Sequence, residues 1–189
     1  MKRVFSAIDI PEEARKAIGK YVNNLRNEFS DRPIRWEKPE KLHITVKFAG
    51  SLDENELDKF TQRIKLAAIS VGPFRITVTG TGAFVKRRGP SVLWLGIEIV
   101  GGDNATFTRL AAKVDDEEKR PFNPHITIGR IKDTKKARTL IEKHRSSHFE
   151  PVEFEVNELV IYESTLLPAG STYTKLTSFS LERGRPRPQ

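Results

Sequence analysis

The sequence predicts an α+β fold of two pseudo-symmetric lobes, each with an antiparallel sheet and outer helices. Three observations predict it. Segments that alternate apolar and polar residues, the mark of half-buried strands, are interleaved with segments of helical periodicity. The order strand, helix, strand recurs in both halves: HITVKFAG leads to a helix and then GPFRITVTGTGAF, while HITIGRIK leads to a helix and then EPVEFEVNELVIY. No segment between the halves has the composition of a linker, so residues 1–182 are expected to pack as a single unit.

The elements follow in order. Residues 2–10 are rich in Val, Phe and Ile and read as a strand. Pro11 opens a helix, where its missing N–H costs nothing, and Ala14, Ala17, Ile18, Tyr21, Val22, Leu25 and Phe29 form its buried stripe. Asp31, Pro33 and Pro39 punctuate a loop that holds Trp36. Residues 42–49 alternate as a strand. Asp53 with Glu56 forms a capping box for a helix through Leu57, Phe60, Ile64 and Ala67, which Gly72-Pro73 stops. Phe74, Ile76 and Val78 begin a strand, and residues 91–99 form another. Lys86, Arg87 and Arg88 lie in a basic turn between them. A helix follows over about 104–114, a polar loop over 115–124, a strand over 125–131 and a helix over 134–144. Strands over 152–156, 158–163 and within 171–182 complete the fold, and the Pro- and Arg-rich tail 183–189 is expected to be disordered.

Composition narrows the function classes. The chain has 189 residues, with 37% hydrophobic and 31% charged, which describes a globular protein. No apolar run approaches the ~18 residues of a membrane span, and the N-terminal apolar stretch lacks a cleavage site, so a cytoplasmic protein with no membrane partner is expected. The absence of cysteine excludes disulfides, thiolate catalysis and cysteine-ligated metal centres. A net charge of +8 favours acidic partners, nucleic acid first among them. One Met, no Cys and two Gln also fit a thermophilic source.

The chemistry lies in a repeated tetrapeptide. His43-Ile44-Thr45-Val46 and His125-Ile126-Thr127-Ile128 share the pattern His-x-Thr-x. Side chains alternate along a strand, so Leu42, Ile44, Val46 and Phe48 are expected to face a core while His43 and Thr45 face away from it. The same parity separates Ile126 and Ile128 from His125 and Thr127. A single His and Thr on a polar strand face are ordinarily just solvated. Here two of the four histidines occupy the same motif at matching positions of the repeat. Two imidazoles on one cleft can serve as acid and base near neutral pH, and two hydroxyls can hold phosphate oxygens. Lys47 shares the parity of His43 and is a further candidate for phosphate. His144 and His148, four residues apart, have a spacing open to metal ligation, but no carboxylate stands at a telling distance, so neither a metal nor a cofactor is expected.

With these motifs the chain resembles the two-histidine (2H) phosphoesterase superfamily, and within it the RNA 2′,3′-cyclic phosphodiesterases, also called 2′-5′ RNA ligases. RVFSAIDIP, IRWEKPEKLHITVKFAG, NPHITIGR and the segment from Glu163 to Leu176 carry the resemblance over nearly the whole chain. It implies a bilobal fold with an active-site cleft between the sheets. It also implies hydrolysis of a terminal 2′,3′-cyclic phosphate to a 2′-phosphate, with reversible 2′-5′ ligation of RNA halves in some members. His43 and His125 would be catalytic, with Thr45 and Thr127 on the phosphate. Arg130 falls where the family has a phosphate-contacting arginine, although strict alternation would turn it to the face of Ile126 and Ile128; a bulge at Gly129 would re-aim it. The expected partner is RNA with a 2′,3′-cyclic phosphate end, tRNA halves among the candidates, and the expected state is a monomer. Competing readings are an RNA-binding or RNA-ligating protein, and a 2H enzyme for a small cyclic nucleotide. Trp36 and Tyr162 are candidates for stacking on a base, with core packing as the alternative.

Overall fold

The computed structural model describes residues 1–86, 90–100, 105–114, 122–168 and 170–182. The tail, Arg87 and Arg88 of the basic turn, and most of the polar loop after residue 114 lie outside them. In chain order the elements are β1 (Lys2–Asp9), α1 (Glu12–Glu28), β2 (Ile34–Trp36), β3 (His43–Leu52), α2 (Glu54–Ile69), β4 (Phe74–Phe84) and β5 (Ser91–Ile99). They continue as α3 (Ala105–Val114), β6 (His125–Ile131), α4 (Arg138–Ser146), β7 (Val152–Val156), β8 (Glu158–Leu167) and β9 (Gly170–Ser180). The α+β class is as predicted. Among the described residues no helix is long and apolar enough to cross a membrane.

The strands run in the order β7-β4-β5-β6-β3-β1-β8-β9, with β2 beside β6. Every pairing is antiparallel. The lobes are therefore two arms of one curled sheet, joined where Ile44 of β3 pairs with Ile126 of β6. Each arm borrows from the other half of the sequence. β4 follows the first motif but pairs with β5, and β8 follows the second motif but pairs with β1. This exchange ties the arms together more firmly than two self-contained halves would be.

The helices cover one face. Ala14, Ile18, Val22 and Leu25 of α1 join Ile64, Ala67 and Ala68 of α2 against Val4, Ile8, Ile44, Ile76, Val78 and Ile126 of the sheet. Burial of this set from water is the main source of stability. The predicted capping box of α2 is present: Asp53 Oδ1 accepts from the Glu56 N–H at 2.9 Å and Glu56 Oε2 accepts from the Asp53 N–H at 2.8 Å. Pro11 is the residue just before α1, and its carbonyl accepts from the Arg15 N–H at 2.9 Å. α4 starts later than predicted because residues 134–137 form turns, held by Asp133 Oδ1 accepting from the N–H groups of Lys135 and Lys136. The loop expected around Trp36 contains β2, a short strand that pairs Arg35 with Arg130 and Trp36 with Gly129.

Candidate functional site

The seam between the arms builds the site. Ile44 pairs with Ile126, and both are fully buried on the helix side. Their neighbours in sequence point the other way, so antiparallel register sets His43 beside Thr127 and Thr45 beside His125. The two imidazoles stand diagonally across the seam, a relation that in a regular ladder spans about 7–8 Å.

The imidazoles are held alike. His43 Nδ1 lies 2.7 Å from the Lys41 carbonyl, and His125 Nδ1 lies 2.8 Å from the Asn123 carbonyl. Each partner is the residue two positions upstream. A carbonyl only accepts, so Nδ1 carries the proton in both rings and Nε2 is the exchangeable nitrogen. His43 Nε2 lies 3.0 Å from Thr45 Oγ1. Aromatic rings bracket each imidazole: Phe5 and Tyr173 at 4.9 and 5.4 Å from His43, and Phe84 and Trp94 at 5.0 and 6.4 Å from His125. Gly82 makes room on the second side, since a Cβ there would collide with the Trp94 indole.

Burial pushes both imidazoles below the usual histidine range. At His43 the Lys41 carbonyl and the Glu37 and Asp9 carboxylates oppose that shift, while Arg130 adds to it. At His125 the Asn123 carbonyl opposes it, and Arg130 again adds to it. Carboxylates thus favour the charged form at His43 alone.

Each motif ends in a bulge. β1 pairs Ala7 with Thr45 and Ser6 with Lys47, which leaves Val46 as the extra residue of β3. β5 pairs Leu93 with Gly129 and Trp94 with Thr127, which leaves Ile128 extra in β6. The extra residue reverses the parity beyond it. Arg130 therefore returns to the face of His125, and the conflict with strict alternation is resolved one residue before Gly129. The bulge at Val46 corrects two expectations for β3. Phe48, expected in the core, is 45% exposed and stacks toward Phe5. Lys47 pairs with Ser6 and falls on the face opposite Phe48, and it is not among the residues lining the cavity beside His43.

That cavity has a volume of about 310 Å³. His43, Thr45 and Arg130 are in its walls, with Phe5, Phe48, Trp36 and Tyr173 as aromatic lining. His125 and Thr127 stand across the seam from it. Five cationic side chains, Arg3, Arg35, Lys38, Lys41 and Arg130, meet one carboxylate, Glu37. Glu37 Oε1 accepts from Arg130 Nε at 3.0 Å and holds the guanidinium in place. Trp36 packs on the core with one face and lines the cavity with another. Tyr162 stacks on Phe5 at 5.5 Å and donates its hydroxyl to the Asp9 carboxylate at 2.7 Å.

Glu37, Arg35, Arg3, Phe5 and Tyr173 are among the cavity residues that sequence reasoning did not single out. The signal for the first two was the alternation of Arg35 and Glu37 about an apolar Trp36. Recognising them requires knowing that this stretch is a strand. His144 and His148 do not converge. His144 is fully buried, while exposed His148 lies 3.3 Å from Glu150. No group of three potential metal ligands occurs among the described residues.

Comparison with known proteins places this geometry in a family. A curated protein of Methanocaldococcus jannaschii, RNA 2′,3′-cyclic phosphodiesterase, is 33% identical over 90% of this chain and 96% of its own length. A protein of the same name from Thermotoga maritima is 32% identical over 96% and 97%. Both sources are thermophiles. The crystal structure of TT0787 of Thermus thermophilus superposes with a TM-score of 0.74 at 29% identity, covering 97% of this chain and all of that one. The model of the 2′-5′ RNA ligase superfamily matches residues 11–166, and the chain belongs to that superfamily.

Proposed function

We propose that this protein is a phosphodiesterase that opens the 2′,3′-cyclic phosphate at an RNA terminus to leave a 2′-phosphomonoester. The observation that carries the reading is the matched pair of histidines. Two imidazoles in one tautomer, each tied at Nδ1 to the carbonyl two residues upstream, face one side of a single seam. The names of the relatives agree with it.

In the proposed reaction, His125 in its neutral form takes a proton from water as the oxygen attacks phosphorus. His43 in its charged form gives a proton to the departing ribose 3′ oxygen. The P–O3′ bond breaks, the P–OH bond forms, and the phosphate stays on O2′. The carboxylates of Glu37 and Asp9 support charge on His43 and so favour it as the acid. The phosphodiester anion itself raises both imidazoles when bound. Thr45, Thr127 and Arg130 hold the non-bridging oxygens as charge develops. If the 5′-hydroxyl of a second RNA replaces water, the same steps yield a 2′-5′ linkage, so ligation needs no additional catalytic group. Residues 1–182 act together as one catalytic unit.

The test is incubation of the pure protein with an RNA ending in a 2′,3′-cyclic phosphate, with and without EDTA. The expected product is a 2′-phosphate with a free 3′-hydroxyl, formed at the same rate in both, because the two histidines supply both proton transfers. An unaltered terminus, a 3′-phosphate product, or loss of activity in EDTA restored by a divalent ion would overturn the reading.

A further inference from the structure

We propose that Arg3 and Arg35 form a second phosphate subsite, which holds the phosphodiester immediately upstream of the cyclic terminus. The inference rests on the functional reading above and gives the substrate a minimum length. A cyclic phosphate terminus carries one negative charge. Arg130 with the two threonines answers it, yet four more cations line the same cavity.

Two of the four are poised for an anion. Arg35 and Arg130 are direct partners in the β2–β6 ladder, and like charges directly opposite each other are destabilising. Glu37 pairs with Arg130. Among the described residues Arg35 has no carboxylate partner. Gly170, at a φ of 122°, gives it clearance: a Cβ there would lie 3.3 Å from Arg35 Nη1. Arg3 also lacks a carboxylate partner among the described residues. Its guanidinium carbon sits 4.6 Å over the Phe48 ring, a stack that leaves its N–H edge open to a phosphate.

The three guanidiniums converge. Arg130, Arg35 and Arg3 line one cavity together with Tyr173 and Glu37. A chain of ring contacts links Arg3 to the reacting end: His43 to Phe5 at 4.9 Å, Phe5 to Phe48 at 6.5 Å, and Phe48 to Arg3. The open cations therefore line the same cavity as the imidazole, on the His43 side of the seam. A phosphodiester there would relieve the Arg35–Arg130 repulsion and accept the fork of each guanidinium.

The experiment compares kcat/KM for three substrates: adenosine 2′,3′-cyclic phosphate, the dinucleotide ApA with the same cyclic end, and that dinucleotide with a neutral methylphosphonate linkage. The phosphodiester dinucleotide is expected to exceed both others by about tenfold or more, the scale of a charged hydrogen bond. Arg35→Gln and Arg3→Gln should each shrink that ratio, and Arg35→Lys should keep part of it. The substrate comparison needs no variant, so a misfolded variant does not hide the answer. Equal rates for the charged and neutral linkages would overturn the subsite and leave the phosphodiesterase reading standing. So would variants that slow all three substrates by the same factor. A wild-type protein that opens none of the three overturns both.

Discussion

His43→Ala and His125→Ala are each expected to lower turnover by about 10²–10⁴-fold, the usual worth of one positioned proton transfer, while leaving the fold intact. Both rings are only half-buried and lie on the cleft face, away from the packed core. The double variant should be little worse than either single one, because acid and base act in the same step. The pH profiles separate the roles. A general base must be neutral, so its loss removes the acidic limb of the rate profile. A general acid must be charged, so its loss removes the alkaline limb. His125→Ala should therefore flatten the acidic side and His43→Ala the alkaline side. Because burial holds both rings below the ordinary histidine range in the free protein, both limbs of kcat/KM should lie on the acid side of about 6.5. The kcat profile should shift upward, since the bound anion favours the charged rings. Steady-state rates from about pH 4.5 to 9, spanning both sides of that value, on the three proteins decide it. Near-wild-type turnover in a folded single variant would sink the mechanism, and exchanged limbs would reverse the assignment.

The pairing of two His-x-Thr-x motifs was legible because it needs only local alternation and a repeat. So were the helices, since Ile18, Val22 and Leu25, or Ile64 and Ala67, recur at helical spacing. The geometry beyond the motifs was not. Alternation extrapolates a regular strand, and neither Val46 nor Ile128 carries any mark that it will be the extra residue of a bulge. One unseen residue per strand reversed Phe48 and Lys47 and restored Arg130. The three-residue strand β2 is too short to show a period, which hid Arg35 and Glu37. The exchange of β4 and β8 between arms depends on pairing partners far apart in sequence, and no local pattern reports them. His144 shows the same limit. Its spacing from His148 reads equally well as a ligand pair or as one buried and one exposed residue, and only packing chooses between them.

His144→Phe is expected to destabilise the fold by about 2–4 kcal/mol at about pH 7.5, since it strips partners from buried polar groups while roughly conserving volume. His144 Nε2 lies 3.1 Å from both the Gly82 and Trp94 carbonyls, so it must carry the proton. Nδ1 is then bare and accepts the Tyr21 hydroxyl at 2.8 Å. One ring thereby ties α4 to α1 and to the β4–β5 pair whose Trp94 borders His125. The neutral ring is fully satisfied. A charged ring would present a second N–H to the Tyr21 oxygen and place its charge away from water, so burial holds His144 below the usual histidine range. The Trp94 and Gly82 carbonyls oppose that shift, and Arg145 adds to it. A histidine depressed in the folded state contributes stability above its unfolded value of about 6.5, and loses it as pH falls through the folded value. His43 and His125 add the same sign, but they are common to both proteins and cancel in the comparison. The melting temperature of His144→Phe should thus fall about 5–15 °C below wild type at about pH 7.5. The gap should narrow as both are titrated below about pH 6.5. EDTA should leave the wild-type curve where it is, because a ring occupied at both nitrogens has no lone pair for a metal. A variant that melts with wild type at every pH, or a wild-type transition that drops on chelation, would show that His144 does something other than bind these strands and helices together.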